Sequence, residues 1–329
     1  MQMIKFILPP VVAFAAAALA GLWAVPFLRK VKAGQQIRED GPTWHMSKAG
    51  TPTMGGIIFV IGIAVSCILF GWKAMMNGRY VHLTVLALAV LYGIIGFIDD
   101  YTKVKKKRNL GLTGIQKLVL QIVVAAAFLA MLRYSGNLSN EVKIPFTTCS
   151  FTLPWVIYLI AAVFVIIGGV NAVNLTDGID GLATGATMPV ALFFALVAVW
   201  KGQNDLFIFA SSLLGALAAF LIYNFHPAKG FMGDTGSLFL GGAVCAMAFA
   251  IDMPIILIPV GIVYIIETLS VILQVGYFKL THGKRIFRMS PFHHHLEMGG
   301  WSEKKIFAVF TFISLVGCVV AALGLIPVF

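Results

Sequence analysis

Residues 171–185 read NAVNLTDGIDGLATG and lie between two apolar runs, each long enough to cross a lipid bilayer. The segment carries Asn171, Asn174, Asp177 and Asp180 at every third position, interleaved with glycines. Hydrocarbon offers no hydrogen-bond partner to an amide or a charge, so polar residues between membrane spans face water, protein or a ligand. We therefore interpret this polar segment as the floor of a functional site in a membrane protein.

The composition supports the membrane assignment. Of the 329 residues, 60% are hydrophobic and 11% are charged, whereas soluble domains contain roughly 25% charged residues. A helix needs ~20 apolar residues to cross a hydrocarbon core of ~30 Å. About ten such runs are present, at 3–28, 53–71, 80–98, 114–133, 154–173, 182–200, 206–224, 236–251, 254–278 and 305–326. The sequence therefore predicts an all-α integral membrane protein with about ten transmembrane helices, forming a single domain over residues 1–329.

Basic residues are distributed unevenly between the two sides of the predicted bundle. An even number of spans places both termini on one side, and 18 of the 24 Lys and Arg residues lie on the other. Cytoplasmic loops collect Lys and Arg near span ends, so this basic side is predicted to be cytoplasmic and both termini extracytoplasmic. Topology and anionic lipid headgroups account for most of the net charge of +11, and we expect no nucleic-acid partner.

Two segments depart from simple spans. The apolar run at 254–278 belongs to a stretch too long for one straight crossing, and it contains Pro259, Gly261 and Glu267. We expect a break or a strong tilt near the middle of this span, and we expect Glu267 to be functional or paired inside the bundle. Polar and apolar residues alternate in the segment 134–153, which predicts a short external hairpin.

Asp99 and Asp100 are adjacent at the end of the third apolar run, in the segment GFIDDYTK. Neighbouring carboxylates repel unless a cation or a proton lies between them, so the pair implies a divalent metal ion or a proton. Five basic residues follow within positions 103–108, and we interpret most of them as a membrane anchor. Lys117 is separate from this basic run and could reach inward.

Two further loops on the same side combine polar residues with glycines. The segment YNFHPAKGFMGDTGS places Asn224, Phe231 and Asp234 at the start of a predicted helix, an arrangement typical of a phosphate or metal site. The first cytoplasmic loop ends with Lys48 and Thr53 before two glycines. Its hydroxyl and backbone groups could bind an anion, although a helix cap followed by close-packed small residues would have the same sequence.

Three consecutive histidines, His293, His294 and His295, follow the ninth apolar run in the segment PFHHHLE. Consecutive side chains on a helix point in different directions. At most one or two of these histidines can therefore face a single site.

Seven polar side chains from four predicted cytoplasmic loops are thus expected to converge on one membrane face. They are Asp99, Asp100, Asn174, Asp177, Asp180, Asp234 and His294. Carboxylates without thiolates favour a hard cation such as Mg²⁺, held by few protein oxygens together with substrate phosphates. Phosphoryl transfer to a lipid fits this set, because it needs a cation, basic residues for the donor and an apolar groove for the acceptor.

The segments GFIDDYTK, NAVNLTDGIDGLATG, YNFHPAKGFMGDTGS and KRIFRMSPFHHHLE resemble those of the bacterial phospho-N-acetylmuramoyl-pentapeptide transferases. These enzymes form a family within the polyprenyl-phosphate N-acetylhexosamine-1-phosphate transferase superfamily, and the resemblance covers essentially the whole chain. It implies a homodimeric inner-membrane enzyme. The implied reaction transfers phospho-MurNAc-pentapeptide from UDP-MurNAc-pentapeptide to undecaprenyl phosphate, giving lipid I and UMP with Mg²⁺ as cofactor.

The resemblance also implies a role for each matching residue. Asp234 would bind the metal, and Asp99 and Asp100 would act on the lipid phosphate or hold it near the metal. His294 and its neighbours would contact the sugar-phosphate side, and Phe231 would stack on uracil. The implied substrate-binding residues are Lys48, Thr53, Lys117, Asn174, Asp177, Gly178, Asp180, Asn224, Phe231, His293 and His295.

Three alternative functions remain open. A transferase of GlcNAc-1-phosphate from UDP-GlcNAc to a polyprenyl phosphate would share several of these motifs. A cation-coupled transporter would also hold intramembrane acids, but at the midplane and in paired repeats, whereas the candidate site acids named above, except Glu267, lie at inner span ends. A membrane aspartyl protease would need two facing aspartates within spans, and the segment 231–234 lacks the first glycine of a GxGD signature.

Overall fold

The computed structural model describes residues 2–31, 48, 50–106 and 110–328. The stretches 32–47 and 107–109, which belong to the first two predicted cytoplasmic loops, lie outside the described residues. Ten helices in the described part are long and apolar enough to cross a membrane, which confirms the all-α membrane prediction. They are α1 (Gln2–Lys30), α2 (Gly56–Met76), α3 (Val81–Lys106), α4 (Gly114–Tyr134), α5 (Trp155–Thr176), α6 (Leu182–Trp200), α7 (Asn204–Asn224), α8 (Gly233–Ala250), α10 (Ile262–Leu280) and α12 (Glu303–Leu325). Two short helices, α9 (Leu257–Val260) and α11 (Phe292–Glu297), accompany them.

Two of these helices extend further than their apolar runs predicted. Helix α5 continues to Thr176, so Asn171 and Asn174 lie on its last two turns, and their assignment to a loop was wrong. Helix α3 likewise continues past Asp99 and Asp100. Hydropathy indicates where a helix leaves the apolar environment. The helix itself ends only where the backbone hydrogen bonds between residues i and i−4 end. The polar turns of both helices therefore remain helical and present their side chains to the bundle.

The ninth span is broken, as predicted, but near its N-terminal end rather than in its middle. A short 3₁₀ helix, Pro254–Ile256, leads into α9, and α10 begins directly after Gly261. Pro259 lies within α9 and has no N–H group to contribute to a continuous helix. The break leaves α10 as one uninterrupted helix of 19 residues that carries Glu267.

A two-stranded hairpin lies between α4 and α5, as the alternation at 134–153 predicted. Strands β1 (Glu141–Lys143) and β2 (Ser150–Thr152) pair antiparallel, with Val142 opposite Phe151.

Helix α8 is the most buried of the ten spans, with 89% of its apolar window inside the protein. Small residues let neighbouring backbones approach it closely. A Cβ atom on Gly241 would lie 2.5 Å from the Cα of Val170 in α5, and one on Gly96 of α3 would collide with the carbonyl group of Asp234. This close packing places the N-terminal turn of α8 directly against the polar end of α3.

Candidate active site

Asp234 lies in the first turn of α8 and binds side chains from three other helices. Its Oδ2 atom is 3.0 Å from the ammonium nitrogens of Lys103 in α3 and Lys117 in α4. Its Oδ1 atom accepts a hydrogen bond of 2.9 Å from the amide nitrogen of Asn174 in α5. The same amide also donates to Ser237 at 2.7 Å. Four helices are therefore joined through one carboxylate.

Asp100 fixes the start of α8. Its carboxylate accepts hydrogen bonds from the backbone and the hydroxyl of Thr235, at 2.9 and 2.7 Å, and from the backbone N–H of Asp234 at 3.3 Å. The N–H groups of a first helical turn have no partner within the helix, so this carboxylate satisfies them. Gly233, at φ 69°, leaves the necessary room, because a Cβ atom there would lie 2.6 Å from Asp100 Oδ2 and from Thr53 Oγ1. Asp100 thus sets the position of Asp234.

Asp99 occupies the third corner of this carboxylate cluster. It pairs with Lys103 at 2.6 Å and accepts a hydrogen bond of 2.8 Å from the backbone N–H of Leu112. Asp99, Asp100 and Asp234 each place one carboxylate oxygen within 4.8 Å of the other two. Because all three ligands are oxygens, the cluster suits a hard divalent cation such as Mg²⁺.

Asp177 follows α5 directly and lies in the field of these carboxylates. Burial raises the pKa of Asp177 to about 8, and the negative charges of Asp234, Asp100 and Asp180 contribute to the rise. The side chain is therefore mainly protonated at neutral pH and can donate a hydrogen bond.

Asp180 belongs to a second polar cluster, next to the first. The ammonium nitrogen of Lys48 lies 2.7 Å from Asp180 and 2.7 Å from Glu303 in α12. The Nδ1 atom of His226 is 2.9 Å from the other oxygen of Asp180. Glu303 also accepts a hydrogen bond of 3.0 Å from the backbone N–H of Asp180. Lys48 is therefore positioned by two carboxylates from separate parts of the chain.

The first histidine of the triplet is a core residue. His293 is fully buried, and its Nδ1 atom lies 3.0 Å from Oε2 of Glu267, which is also fully buried. The ring packs so closely against Gly178 that a Cβ atom there would collide with Nε2. Glu267 is thus paired inside the bundle, one of the two outcomes expected for it.

The other two histidines have different surroundings. His294 is half-buried, its ring lies against that of His293 in a tilted arrangement with 4.1 Å between ring centroids, and it pairs with Glu297 at 2.6 Å. The Nδ1 atom of His295 accepts a hydrogen bond of 3.1 Å from the backbone of Arg288. His293 is therefore part of the core, whereas His294 and His295 are half-buried.

Phe231 and Asn224 flank the turn that precedes α8. The backbone of half-buried Phe231 donates to Pro52 and accepts from Gly55, both at 2.8 Å, which joins this turn to the segment containing Thr53. The buried side chain of Asn224 accepts a hydrogen bond from Thr184 at 2.8 Å and donates to the Gly230 carbonyl at 3.2 Å. Asn224 therefore links α6 to the turn that precedes α8 and stabilises that turn.

Two residues of these clusters were not identified from the sequence. Lys103 was interpreted as part of a membrane anchor, yet it contacts both Asp99 and Asp234. Its spacing of four residues from Asp99 was an available signal, because residues i and i+4 share one face of a helix. Glu303 had no such local signal, since its partners Lys48 and Asp180 are distant in sequence.

The fold and the carboxylate cluster together define a polytopic membrane transferase, and comparisons with known proteins specify its family. Residues 82–252 match glycosyl transferase family 4, and residues 48–60 match signature 1 of the phospho-N-acetylmuramoyl-pentapeptide-transferases. The chain is 50% identical over 315 residues to the phospho-N-acetylmuramoyl-pentapeptide-transferase of Shouchella clausii, covering 95% of this chain and 94% of that protein. Identity to the Bacillus subtilis protein of that name is 48% over 302 residues (92% and 91% covered), and to the Clostridium acetobutylicum protein 45% over 317 residues (96% and 97% covered).

The chain therefore belongs to the phospho-N-acetylmuramoyl-pentapeptide-transferase family. It is a multi-pass bacterial membrane protein and a phospho-sugar transferase.

Proposed function

We propose that the enzyme transfers phospho-MurNAc-pentapeptide from UDP-MurNAc-pentapeptide to undecaprenyl phosphate, giving lipid I and UMP. The observation that carries this proposal is the cluster of Asp99, Asp100 and Asp234 with Lys103 and Lys117 at one end of a membrane bundle. The reaction brings a diphosphate and a lipid phosphate together, and cationic groups at the end of apolar helices are suited to hold both. Membership of the family favours this sugar over GlcNAc-1-phosphate.

Mg²⁺ is the proposed cofactor. Asp234 would be its principal ligand, with Asp99 and Asp100 within reach. When bound, the ion would neutralise phosphate charge during transfer. Lys117 would bind the phosphates of the donor, and Lys103, which already spans Asp99 and Asp234, would hold the two carboxylates in register.

The donor nucleotide is proposed to bind beside the turn at residues 177–181. Phe231 would stack on uracil, and Asp177, protonated at neutral pH, would donate a hydrogen bond. The remaining donor contacts are proposed for Lys48, Thr53, Asn174, Gly178, Asp180, Asn224 and the three histidines. The contacts of Asn224 and His293 within the protein indicate that these two act by supporting the pocket.

The arrangement in the membrane is proposed from charge. The end of the bundle with the carboxylate cluster would face the cytoplasm, where the nucleotide donor is available, and both termini would be extracytoplasmic. The chain would form a single membrane domain and assemble as a homodimer.

The test is turnover by purified protein in detergent with undecaprenyl phosphate. UMP should be released with UDP-MurNAc-pentapeptide and Mg²⁺, and the lipid product should contain MurNAc. EDTA should abolish the release. Equal or faster turnover with UDP-GlcNAc would assign the enzyme to the competing GlcNAc-1-phosphate activity.

A further inference from the structure

Glu267 is a fully buried acid within an otherwise apolar part of α10. It lies apart from the carboxylate cluster around Asp234, and the proposed chemistry does not use it. An acid in a membrane span is costly unless it is paired or functional. Its partners therefore indicate why it is there.

The carboxylate holds one residue twice. Oε2 of Glu267 lies 3.0 Å from the ring Nδ1 of His293 and 3.3 Å from the backbone nitrogen of the same residue. Seven residues further along α10, Oε1 of Gln274 accepts hydrogen bonds from the backbones of Ile286 and Phe287, at 3.1 and 2.9 Å. Residues seven apart share one face of a helix. One face of α10 thus carries two acceptors that hold the returning chain with its histidines.

These contacts determine which ring nitrogen of His293 carries the proton. Oε2 already accepts the backbone N–H, so the ring nitrogen facing it acts as a second donor and Nδ1 is protonated. In the neutral ring the other nitrogen, Nε2, is then unprotonated. Nε2 is buried without a hydrogen-bond partner among the described residues, and it lies against Gly178. The unprotonated edge of the ring therefore faces the turn that carries Asp177.

We propose that Glu267 is a positioning residue for the donor site and acts through His293. It holds the imidazole in the Nδ1–H tautomer and in one orientation. The ring in turn supports the Asp177–Gly178 turn and the adjoining, tilted ring of His294, whose centroid is 4.1 Å away. This role deepens the proposed function and rests on one part of it, the assignment of the supported turn to the site that binds the uridine nucleotide.

The alternative is that the pair only stabilises the bundle. In that case, loss of the pair would lower the melting temperature and would weaken the binding of both substrates to a similar extent. A positioning role predicts a more specific result: binding of the nucleotide donor should weaken, while binding of the lipid acceptor should be unchanged.

Three variants separate these two roles. Glu267→Leu keeps most of the side-chain volume and removes the hydrogen-bond acceptor. Glu267→Gln keeps a carbonyl oxygen that can accept a hydrogen bond from the Nδ1–H group of His293. The control is Ser270→Ala, one turn further along α10. This serine is also buried, and its hydroxyl donates to the backbone carbonyl of Glu267 at 2.7 Å rather than to the Glu267 carboxylate.

We expect Glu267→Leu to weaken UMP binding, measured by calorimetry, by roughly 10- to 100-fold, the loss typical when a residue that orients a metal-ligating histidine is removed, because Glu267 orients His293 in the same way. KM for UDP-MurNAc-pentapeptide should rise while KM for undecaprenyl phosphate stays within about twofold of the parent, a split that removal of donor-side binding alone produces. Glu267→Gln should recover most of the UMP affinity, and Ser270→Ala should match the parent.

Nitrogen NMR of ¹⁵N-histidine-labelled protein supplies a readout that needs no turnover. His293 of the parent, assigned with a His293→Gln variant, should show a protonated Nδ1 and an unprotonated Nε2, and Glu267→Leu should lose this fixed tautomer. A parent ring protonated on Nε2, or unchanged UMP affinity in folded Glu267→Leu, would overturn the role. So would equal damage to both substrates with a lower melting temperature and no recovery in Glu267→Gln. If the parent binds UMP and shows the expected tautomer but transfers no MurNAc, the proposed function fails while the positioning role stands.

Discussion

The substitution Gly178→Ala tests whether the turn and the buried histidine form one packed unit. The added Cβ atom would collide with Nε2 of His293. That ring cannot move outward, because it is fully buried and bound to Glu267 at 3.0 Å. Overpacking of this kind costs about 1–3 kcal/mol. We therefore expect a clear fall in the melting temperature in detergent together with weaker UMP binding.

The cause can be isolated with a second substitution. Removing the ring with His293→Ala creates space for the alanine methyl group, so the double variant should be less damaged than the sum of the single variants. Residues in contact show coupling of roughly 0.5–3 kcal/mol in such a cycle. The control is Gly276→Ala in α10, where the new Cβ atom meets no atom within 4 Å. This control should be neutral or stabilising by up to ~1 kcal/mol, because alanine favours helix more than glycine does.

Thermal unfolding of the parent and the four variants, followed by circular dichroism at one scan rate, ranks their stabilities, and calorimetry gives their UMP affinities. Purely additive effects of Gly178→Ala and His293→Ala would refute the packed unit. A Gly178→Ala variant as stable as Gly276→Ala would do the same.

Three further predictions concern the carboxylates and the nucleotide pocket. Asp234→Asn should lower UMP release by orders of magnitude while the protein still folds, and its calorimetric titration with Mn²⁺ should lose the binding seen in the parent; full turnover in EDTA would contradict a metal role. Phe231→Ala should weaken UMP binding by roughly 10- to 100-fold, equivalent to the ~1–3 kcal/mol of a base stacked on an aromatic ring, and an unchanged calorimetric affinity would reject the stacking assignment. The raised pKa of Asp177, about 8 against an ordinary 3.8, means that the folded protein binds more protons than the unfolded chain between these two values, so the contribution of Asp177 to stability should fall as pH rises through this interval; the melting temperature of Asp177→Asn should lack this part of the pH dependence.

The spans and the main carboxylates could be predicted from the sequence because both depend on local information. Twenty apolar residues in a row predict a membrane helix whatever surrounds them. Acids such as Asp99, Asp100 and Asp234 are conspicuous at span ends because little else in an apolar chain is charged. Their convergence could be predicted because the assigned topology places all three at the same side of the membrane.

The partners of these residues could not be predicted in the same way. Lys48 and Glu303 are 255 residues apart, and Glu267 contacts His293 only because the chain after α10 folds back on that helix. A sequence pattern indicates which interactions a side chain can form. It does not indicate which neighbour tertiary packing will place beside that side chain. The helical state of Asn174 was missed for a related reason, since its amide is satisfied by Asp234 and Ser237 from α8 and need not end the helix.

The short turn between α5 and α6 explains why these separate clusters act as one site. Burial and the charges of Asp234 and Asp100 raise the pKa of Asp177, Gly178 lies on the ring of His293, and Asp180 binds Lys48 and Glu303. Ile179, between the last two, is 4% exposed and anchors the turn in the apolar core. Gly178, Ile179 and Asp180 therefore each contact a different part of the structure, and few conformations of the turn allow all three contacts together. If the donor binds beside this turn as proposed, a displacement of the turn would disturb the buried histidine and the Lys48 cluster together and would change the field that Asp177 experiences from the carboxylates.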